Sequence, residues 1–321
     1  MYLGIEIGGT KLQLAVGPGD GSPLIDFTRA EIHPEDGAGG ILRHVETLGR
    51  QLIERHQPRA IGIGFGGPVD AEAGRTVISH QVEGWTDFAL VDWCRETFGL
   101  PAALSNDADA AGLAEAFFGA GRGGAPGTPR HVVFYVTVGS GIGGALVIDG
   151  RVYSGGHGIA SEIGHLRPGL DAGDPRATVE SFSSGFGIAA AGRRWLSHEN
   201  VDDPAAADLL ARCDGRIEQL SGRMVIEAAA AGNAAAQRIF FGRGVQTLGW
   251  AIAQVITIVA PQVVVVGGGV PLAGEQMFFE PLRHHVARYV FPPLAHAYSI
   301  VPAALGEEVV VHGALAVARG L

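Results

Sequence analysis

Ala103-Leu104-Ser105-Asn106-Asp107-Ala108-Asp109-Ala110-Ala111 is the stretch on which the reading of this chain turns. The apolar run after Pro101 predicts a buried strand, and the alanine-rich run to Phe118 predicts a helix. Asn106 and Asp107 fall at the joint between the two. In open α/β folds ligands bind outside the carboxyl ends of the strands, which is where a carboxylate at such a joint projects. Both residue types also make good helix N-caps, so the joint alone leaves a binding role and a capping role open.

Two glycine-tipped hairpins flank this stretch at a distance. Leu3–Ile7 and Leu12–Val16 predict paired strands around the turn Gly8-Gly9-Thr10-Lys11. His131–Val138 and Ala145–Ile148 repeat the theme around Gly139-Ser140-Gly141-Ile142-Gly143-Gly144. Glycines let backbone N–H groups approach a phosphate, and Thr10 and Lys11 add a hydroxyl donor and a positive charge. One such turn is unremarkable; a pair suggests duplicated lobes facing a shared nucleotide. A third glycine turn, Gly267-Gly268-Gly269, follows the apolar run Val263–Val266 and is suited to pass beneath an adenine or ribose.

The intervening chain predicts helices over Gly40–His56 and Phe88–Phe98, a strand over Ala60–Gly64, and an irregular loop over Ile78–Trp85. Trp85 could stack on a sugar, although a packing tryptophan is the commoner case. The run Gly119–Pro129 reads as a crossing between domains, and Glu307–Ala318 as a closing helix. The expected division is therefore a small lobe, 1–118 with 307–321, and a large lobe, 119–306.

Composition limits the function classes. The chain of 321 residues is 47% hydrophobic and 17% charged, as expected of a globular protein with a large core. A formal net charge of −10 argues against nucleic acid as the main partner. Cys94 and Cys213 form neither a disulfide framework nor a metal motif, so a reducing cytoplasm is expected. Met1-Tyr2-Leu3-Gly4 shows no signal-peptide pattern. The uncharged interval between Arg243 and Glu275 is broken by Gln246, Gln254, Thr257 and Pro261, and reads as a buried helix feeding a buried strand rather than a membrane span.

Together these motifs resemble the ROK family (repressors, open reading frames and sugar kinases) of the actin-like ATPase superfamily, nearly end to end. Glu6-Ile7-Gly8-Gly9-Thr10-Lys11 looks like its first phosphate loop, and Thr137-Val138-Gly139-Ser140-Gly141-Ile142-Gly143-Gly144 like its second. Gly267-Gly268-Gly269 looks like its adenosine turn, and Ser105-Asn106-Asp107-Ala108 like its sugar and catalytic motif. Ser161-Glu162-Ile163-Gly164-His165 and Glu180 are similar to its sugar-contacting segments. The resemblance implies an α/β, two-lobed ribonuclease-H-like fold and an ATP- and Mg²⁺-dependent hexose kinase, with glucose at the 6-hydroxyl as the default substrate. It implies Asp107 as catalytic base, with sugar contacts from Gly67, Asn106, Asp107, Glu162, His165 and Glu180. Nucleotide contacts would come from Gly8, Gly9, Thr10, Lys11, Thr137, Gly139, Ser140, Gly141 and the 267–269 turn, and a homodimer is implied as well. Glu162 and His165, three apart, would share a face if that segment is helical.

Two departures from the family pattern stand out. Glu6 takes the place of an aspartate that helps to hold Mg²⁺. The segment 166–179 lacks the cysteine cluster with which many members bind zinc, so no zinc site is expected, since His165 alone cannot build one. Kinases for N-acetylhexosamines or fructose are the alternatives within the family. A non-catalytic sugar-binding protein or a repressor is the alternative outside catalysis, and the repressor would need a DNA-binding domain ahead of the first phosphate loop.

Overall fold

The computed structural model describes residues 1–9, 11–79, 82–124, 129–169, 173–197 and 203–320. In chain order it runs β1 (Tyr2–Ile7), β2 (Lys11–Gly17), β3 (Asp26–Glu31), α1 (Gly37–His56), β4 (Ile61–Phe65), β5 (Val69–Asp70), β6 (Arg75–Thr76), α2 (Leu90–Phe98), β7 (Ala102–Asn106) and α3 (Asp107–Phe117). Then follow β8 (Val132–Val138), β9 (Ile142–Ile148), β10 (Arg151–Val152), α4 (Val179–Ser183), α5 (Gly185–Ser197), α6 (Pro204–Arg212), α7 (Gly222–Ala230), α8 (Ala234–Ile239) and α9 (Gln246–Val259). The chain continues with β11 (Val263–Gly267), α10 (Glu280–Tyr289), β12 (Ser299–Pro302) and α11 (Val309–Arg319). Among the described residues no helix is long and apolar enough to cross a membrane.

The strands form two five-stranded sheets of order β3-β2-β1-β4-β7 and β10-β9-β8-β11-β12, with β5 and β6 as a separate pair. Two compact units emerge. One comprises 1–135, 145–161 and 303–321; the other comprises 136–144 and 162–302. The first unit thus takes in 119–135 and 145–161 as well as the expected 1–118 and the closing helix.

In the first unit β1 pairs antiparallel with β2, while β1, β4 and β7 run parallel. Strand side chains alternate between faces. Leu3, Ile5, Ile7, Ile61 and Ile63 are fully buried and share a core with Ile41, Val45 and Leu52 of α1 and Leu90, Val91 and Cys94 of α2. The opposite face presents Gly4, Gly62 and Gly64, against which α11 lies. A Cβ on Gly62 would sit 1.8 Å from the Ala314 carbonyl oxygen, and one on Gly4 2.8 Å from that of Val311. On its other side α11 meets α3, where a Cβ on Gly313 would lie 2.0 Å from the Ala110 carbonyl oxygen. These glycines serve close approach rather than turning.

Several local expectations are corrected. Ile142–Gly144 belong to β9, so the second glycine turn is only Gly139–Gly141, because Ile142 is a buried apolar residue that pairs as strand. The packing reading of Trp85, by contrast, holds: it is 1% exposed and packs edge-on against Phe65 and Phe88, with ring centroids 5.1 and 5.5 Å away. The closing helix begins at Val309 after a 3₁₀ turn, Gly306–Glu308.

The glycine face yields a prediction. Gly62→Ala forces a methyl group into the α11 backbone, an overpacking cost of about 1–3 kcal/mol. Urea unfolding should show a lower midpoint, and an unchanged midpoint would mean that α11 does not dock at this depth.

Candidate active site

The carboxyl ends of β1, β4 and β7 lie side by side in register, Ile7 opposite Phe65 and Phe65 opposite Asn106. The strands lead into Gly8, Gly66-Gly67 and Asn106-Asp107, of which all but Gly66 were singled out above. A Cβ on Gly66 would lie 3.2 Å from Gly8 Cα and 3.4 Å from Asp107 Oδ2, so the three strand ends converge on one spot. The Gly66 N–H donates to the Ile7 carbonyl at 2.8 Å, and the Gly8 N–H to the Lys11 carbonyl at 3.0 Å, closing the first hairpin. Gly9 is half-buried in that turn. Thr10 lies outside the described residues.

Asn106 is the N-cap of α3. Its Oδ1 accepts from the N–H groups of Ala108 and Asp109 at 2.9 and 3.2 Å, and its Nδ2 donates to the Gly67 carbonyl at 2.9 Å. The capping role therefore belongs to Asn106, and it holds the Gly66-Gly67 turn in place as well. Asp107 is the first residue of the helix, and its Oδ1 accepts from the Ala108 N–H at 2.8 Å.

Glu6 is 3% exposed. Its Oε1 lies 3.0 Å from Lys11 Nζ. The Gln13 amide, oriented by its hydrogen bonds, donates to Glu6 Oε2 at 2.7 Å and to the Glu307 carbonyl at 3.2 Å. Burial pushes the Glu6 carboxyl up from 4.5 to about 7 against the opposing pull of Lys11, and the Asp107 charge adds to the rise.

The second unit gathers another set. Gly139–Gly141 is held by the start of α5: the N–H groups of Gly185 and Phe186 donate to the carbonyls of Gly139 (2.8 Å) and Ser140 (3.3 Å). Glu180 Oε2 accepts from the Ile142 N–H at 2.8 Å, and a Cβ on Gly141 would lie 2.7 Å from the same oxygen. Glu162 and His165 approach to 4.0 Å across a 3₁₀ turn, Ile163–His165, rather than an α-helix. Burial and the Glu180 charge raise the Glu162 carboxyl, while His165 lowers it. Thr137 lies half-buried on β8. Gly268, with φ of 95°, leaves a Cβ position only 2.5 Å from the Val138 carbonyl oxygen, so Gly267–Gly269 passes directly against the end of β8.

A functional carboxylate that sequence reasoning missed is Glu115 on α3. It is fully buried and accepts from the N–H groups of Ala120, Ala304 and Leu305, each at 2.8 Å. It ties the helix that carries Asp107 to the segment leading into α11. The only signal was an acid in the middle of an alanine-rich helix, which reads equally well as a surface residue.

A family model described as ROK family matches residues 2–320. The chain belongs to the ROK family. This ROK chain is 31% identical to a glucokinase of Thermotoga maritima, over 99% of this chain and 96% of the relative. It is 30% identical to a glucokinase of Halalkalibacterium halodurans, over 97% of this chain and 93% of that one. A solved ROK family glucokinase from Streptomyces griseus, in complex with glucose and AMPPNP, superposes with a TM-score of 0.83 at 28% identity, covering 100% of this chain and 99% of that one. The fold is accordingly the expected α/β, ribonuclease-H-like class of the actin-like ATPases.

The buried Glu6 sets up a stability test. A carboxyl that titrates near 7 when folded and near 4.5 when unfolded binds its proton more tightly in the folded state. Its contribution to stability is therefore full below pH 4.5 and is lost as pH rises through 7, by about 3 kcal/mol. Glu6→Gln cannot titrate, so its stability relative to wild type should climb between pH 5 and pH 8 in urea titrations. Parallel pH profiles would mean that Lys11 keeps Glu6 ionised throughout.

Proposed function

We propose that this ROK chain is an ATP-dependent hexose kinase that phosphorylates glucose at the 6-hydroxyl, with Asp107 as general base. The observation that carries the reading is the position of Asp107. It stands at the converging ends of three parallel strands, beside a glycine hairpin, in a chain about 30% identical to glucokinases over nearly its whole length.

In this reading Asp107 accepts the proton of the 6-hydroxyl as its oxygen attacks the γ-phosphorus, and the bond to the ADP oxygen breaks. Asn106 caps α3 and holds the Gly67 turn, which fixes the carboxylate against the strand ends. Glu162, His165 and Glu180 accept and donate to the remaining sugar hydroxyls, each of which both gives and takes a hydrogen bond. The turns 8–11, 139–141 and 267–269 take the nucleotide, with Lys11 near the phosphates.

Mg²⁺ belongs to the same proposal. Among the described residues no group of three His, Cys, Asp or Glu could hold a metal by itself. Mg²⁺ needs only one or two carboxylates when phosphates supply the other oxygens. Glu6, at the head of the first glycine turn and close enough to Asp107 to feel its charge, is the carboxylate that would hold the ion. Bound there, Mg²⁺ would neutralise charge on the phosphate oxygens. The reading extends to a cytoplasmic homodimer, supported by family membership and by two buried free cysteines.

Two outcomes are expected. Asp107→Asn keeps the shape of the side chain but cannot take the proton. It should bind glucose and ATP within a modest factor of wild type by calorimetry, and phosphorylate about 10²–10⁴-fold more slowly. Wild-type turnover would remove Asp107 from the mechanism. The raised Glu162 carboxyl accepts from hydroxyls more strongly when ionised, with both oxygens free to accept, so the KM for glucose should rise as pH falls, whereas Glu162→Gln should show a flatter profile. A wild-type KM that stays constant on acidification would place Glu162 away from the sugar.

A further inference from the structure

A cavity of about 230 Å³ lies in the second unit, where Pro168 and Gly169 face the first turns of α9 and the end of α10. Its lining is rich in hydrogen-bond donors. Arg243 stacks its guanidinium over the Phe182 ring, 4.5 Å from the centroid, and has no carboxylate partner among the described residues. Thr247 is only 8% exposed, and neither its hydroxyl nor the Trp250 indole N–H has a hydrogen-bond partner among the described residues. Gln246 Nε2 donates to the Tyr289 hydroxyl at 2.8 Å, which leaves the phenolic proton to be given elsewhere. No Asp or Glu is among the described residues lining the cavity.

Donors that outnumber acceptors, with a guanidinium as the single charge, suit an anion with several oxygens. The planar fork of Arg243, already held in place by Phe182, matches phosphate. A bare phosphate leaves room beside Trp250, whose broad apolar face suits the C–H groups of a sugar ring. We propose that this cavity is a second binding site, distinct from the strand-end site, for a monosaccharide phosphate.

The site has a route to the hexose. Pro168 is three residues beyond His165, and the loop after His165 is closed by the Val179 N–H donating to the Leu166 carbonyl at 2.8 Å and Arg167 Nε to the Pro175 carbonyl at 3.0 Å. A ligand bridging Pro168-Gly169 to Arg243 and Thr247 braces that segment and with it His165. This part rests on the kinase reading: occupancy should lower the KM for glucose, and glucose should tighten the site by the same factor, as linkage requires.

The test is binding of glucose 6-phosphate to the full chain at saturating glucose without ATP, followed by tryptophan fluorescence and calorimetry. Saturating glucose occupies the strand-end site, so one equivalent of glucose 6-phosphate bound per chain reports the cavity. Inorganic phosphate should bind at least about tenfold more weakly, having no ring to set against Trp250. Arg243→Gln should weaken glucose 6-phosphate at least about tenfold and Thr247→Val about threefold or more. In both variants kcat without added sugar phosphate should stay at the wild-type value, and in Arg243→Gln glucose 6-phosphate should no longer lower the KM. The proposal is overturned by no binding, by binding that glucose abolishes, by equal affinity for inorganic phosphate, or by binding that neither variant alters. The binding arm needs no turnover, so its failure is separate from failure of the kinase reading, which would show as no phosphorylation of any hexose.

Discussion

The approach of α11 to the first sheet is the constraint on which the rest of that unit depends. Helices ordinarily stand off a sheet by the depth of two layers of side chains. Here Gly4, Gly62 and Gly64 remove one of those layers, and Gly313 lets the same helix touch the backbone of α3. The helix that begins with Asp107 is thus fixed from two sides, by its own strand and by α11. Glycines weaken isolated strands, by roughly 0.5–1 kcal/mol each relative to alanine. Three of them on adjacent strands are tolerated because Leu3, Ile5, Ile61 and Ile63 fill the opposite face completely.

Two buried carboxylates in the same unit show two ways of accommodating a charge. Glu115 is met by three backbone N–H groups, a set that a carboxylate satisfies with both oxygens and that no apolar residue could replace. Glu6 meets one ammonium and one amide, but burial, with a smaller push from Asp107, raises its proton affinity. The first is a fixed joint between α3 and the segment before α11. The second is poised, so that a nearby cation or a change of pH alters its charge.

The strands and turns around the site were legible in the sequence because they combine two strong local signals, an apolar run and a glycine cluster. β1, β2, β4, β7, β8 and β11 and the helices α1, α2, α3 and α11 fall within a few residues of expectation. β3 was not legible, since Asp26–Glu31 alternates around half-buried positions and carries charge on an edge strand. The helices from α4 to α8 were missed: α4, α6, α7 and α8 have five to nine residues and owe their starts to caps at Thr178, Asp203, Ser221 and Asn233, and α5 opens on Gly185-Phe186-Gly187, which reads as a turn. At the site, the residue types at 106 and 107 were plain, but which of them capped the helix was not. That depended on Gly67, nearly forty residues earlier in the chain, supplying a carbonyl for Asn106.

The first unit is assembled from segments far apart in the chain, with a consequence for how it forms on the ribosome. The strands β1, β4 and β7 are made early, and their hydrophobic face can be covered at once by α1 and α2. Their glycine face is covered only in part, by α3 at Gly64, until α11 emerges roughly 200 residues after α3, which at ordinary elongation rates is a wait of about 10–40 s. During that interval the nascent sheet exposes bare backbone shaped for one particular helix, and the strand ends that will carry Asp107 cannot yet be fixed from both sides. Codon usage and chaperone occupancy between these two points therefore bear on the yield of active protein, even though it is α11, made after that window, that supplies the atoms nearest Gly4 and Gly62.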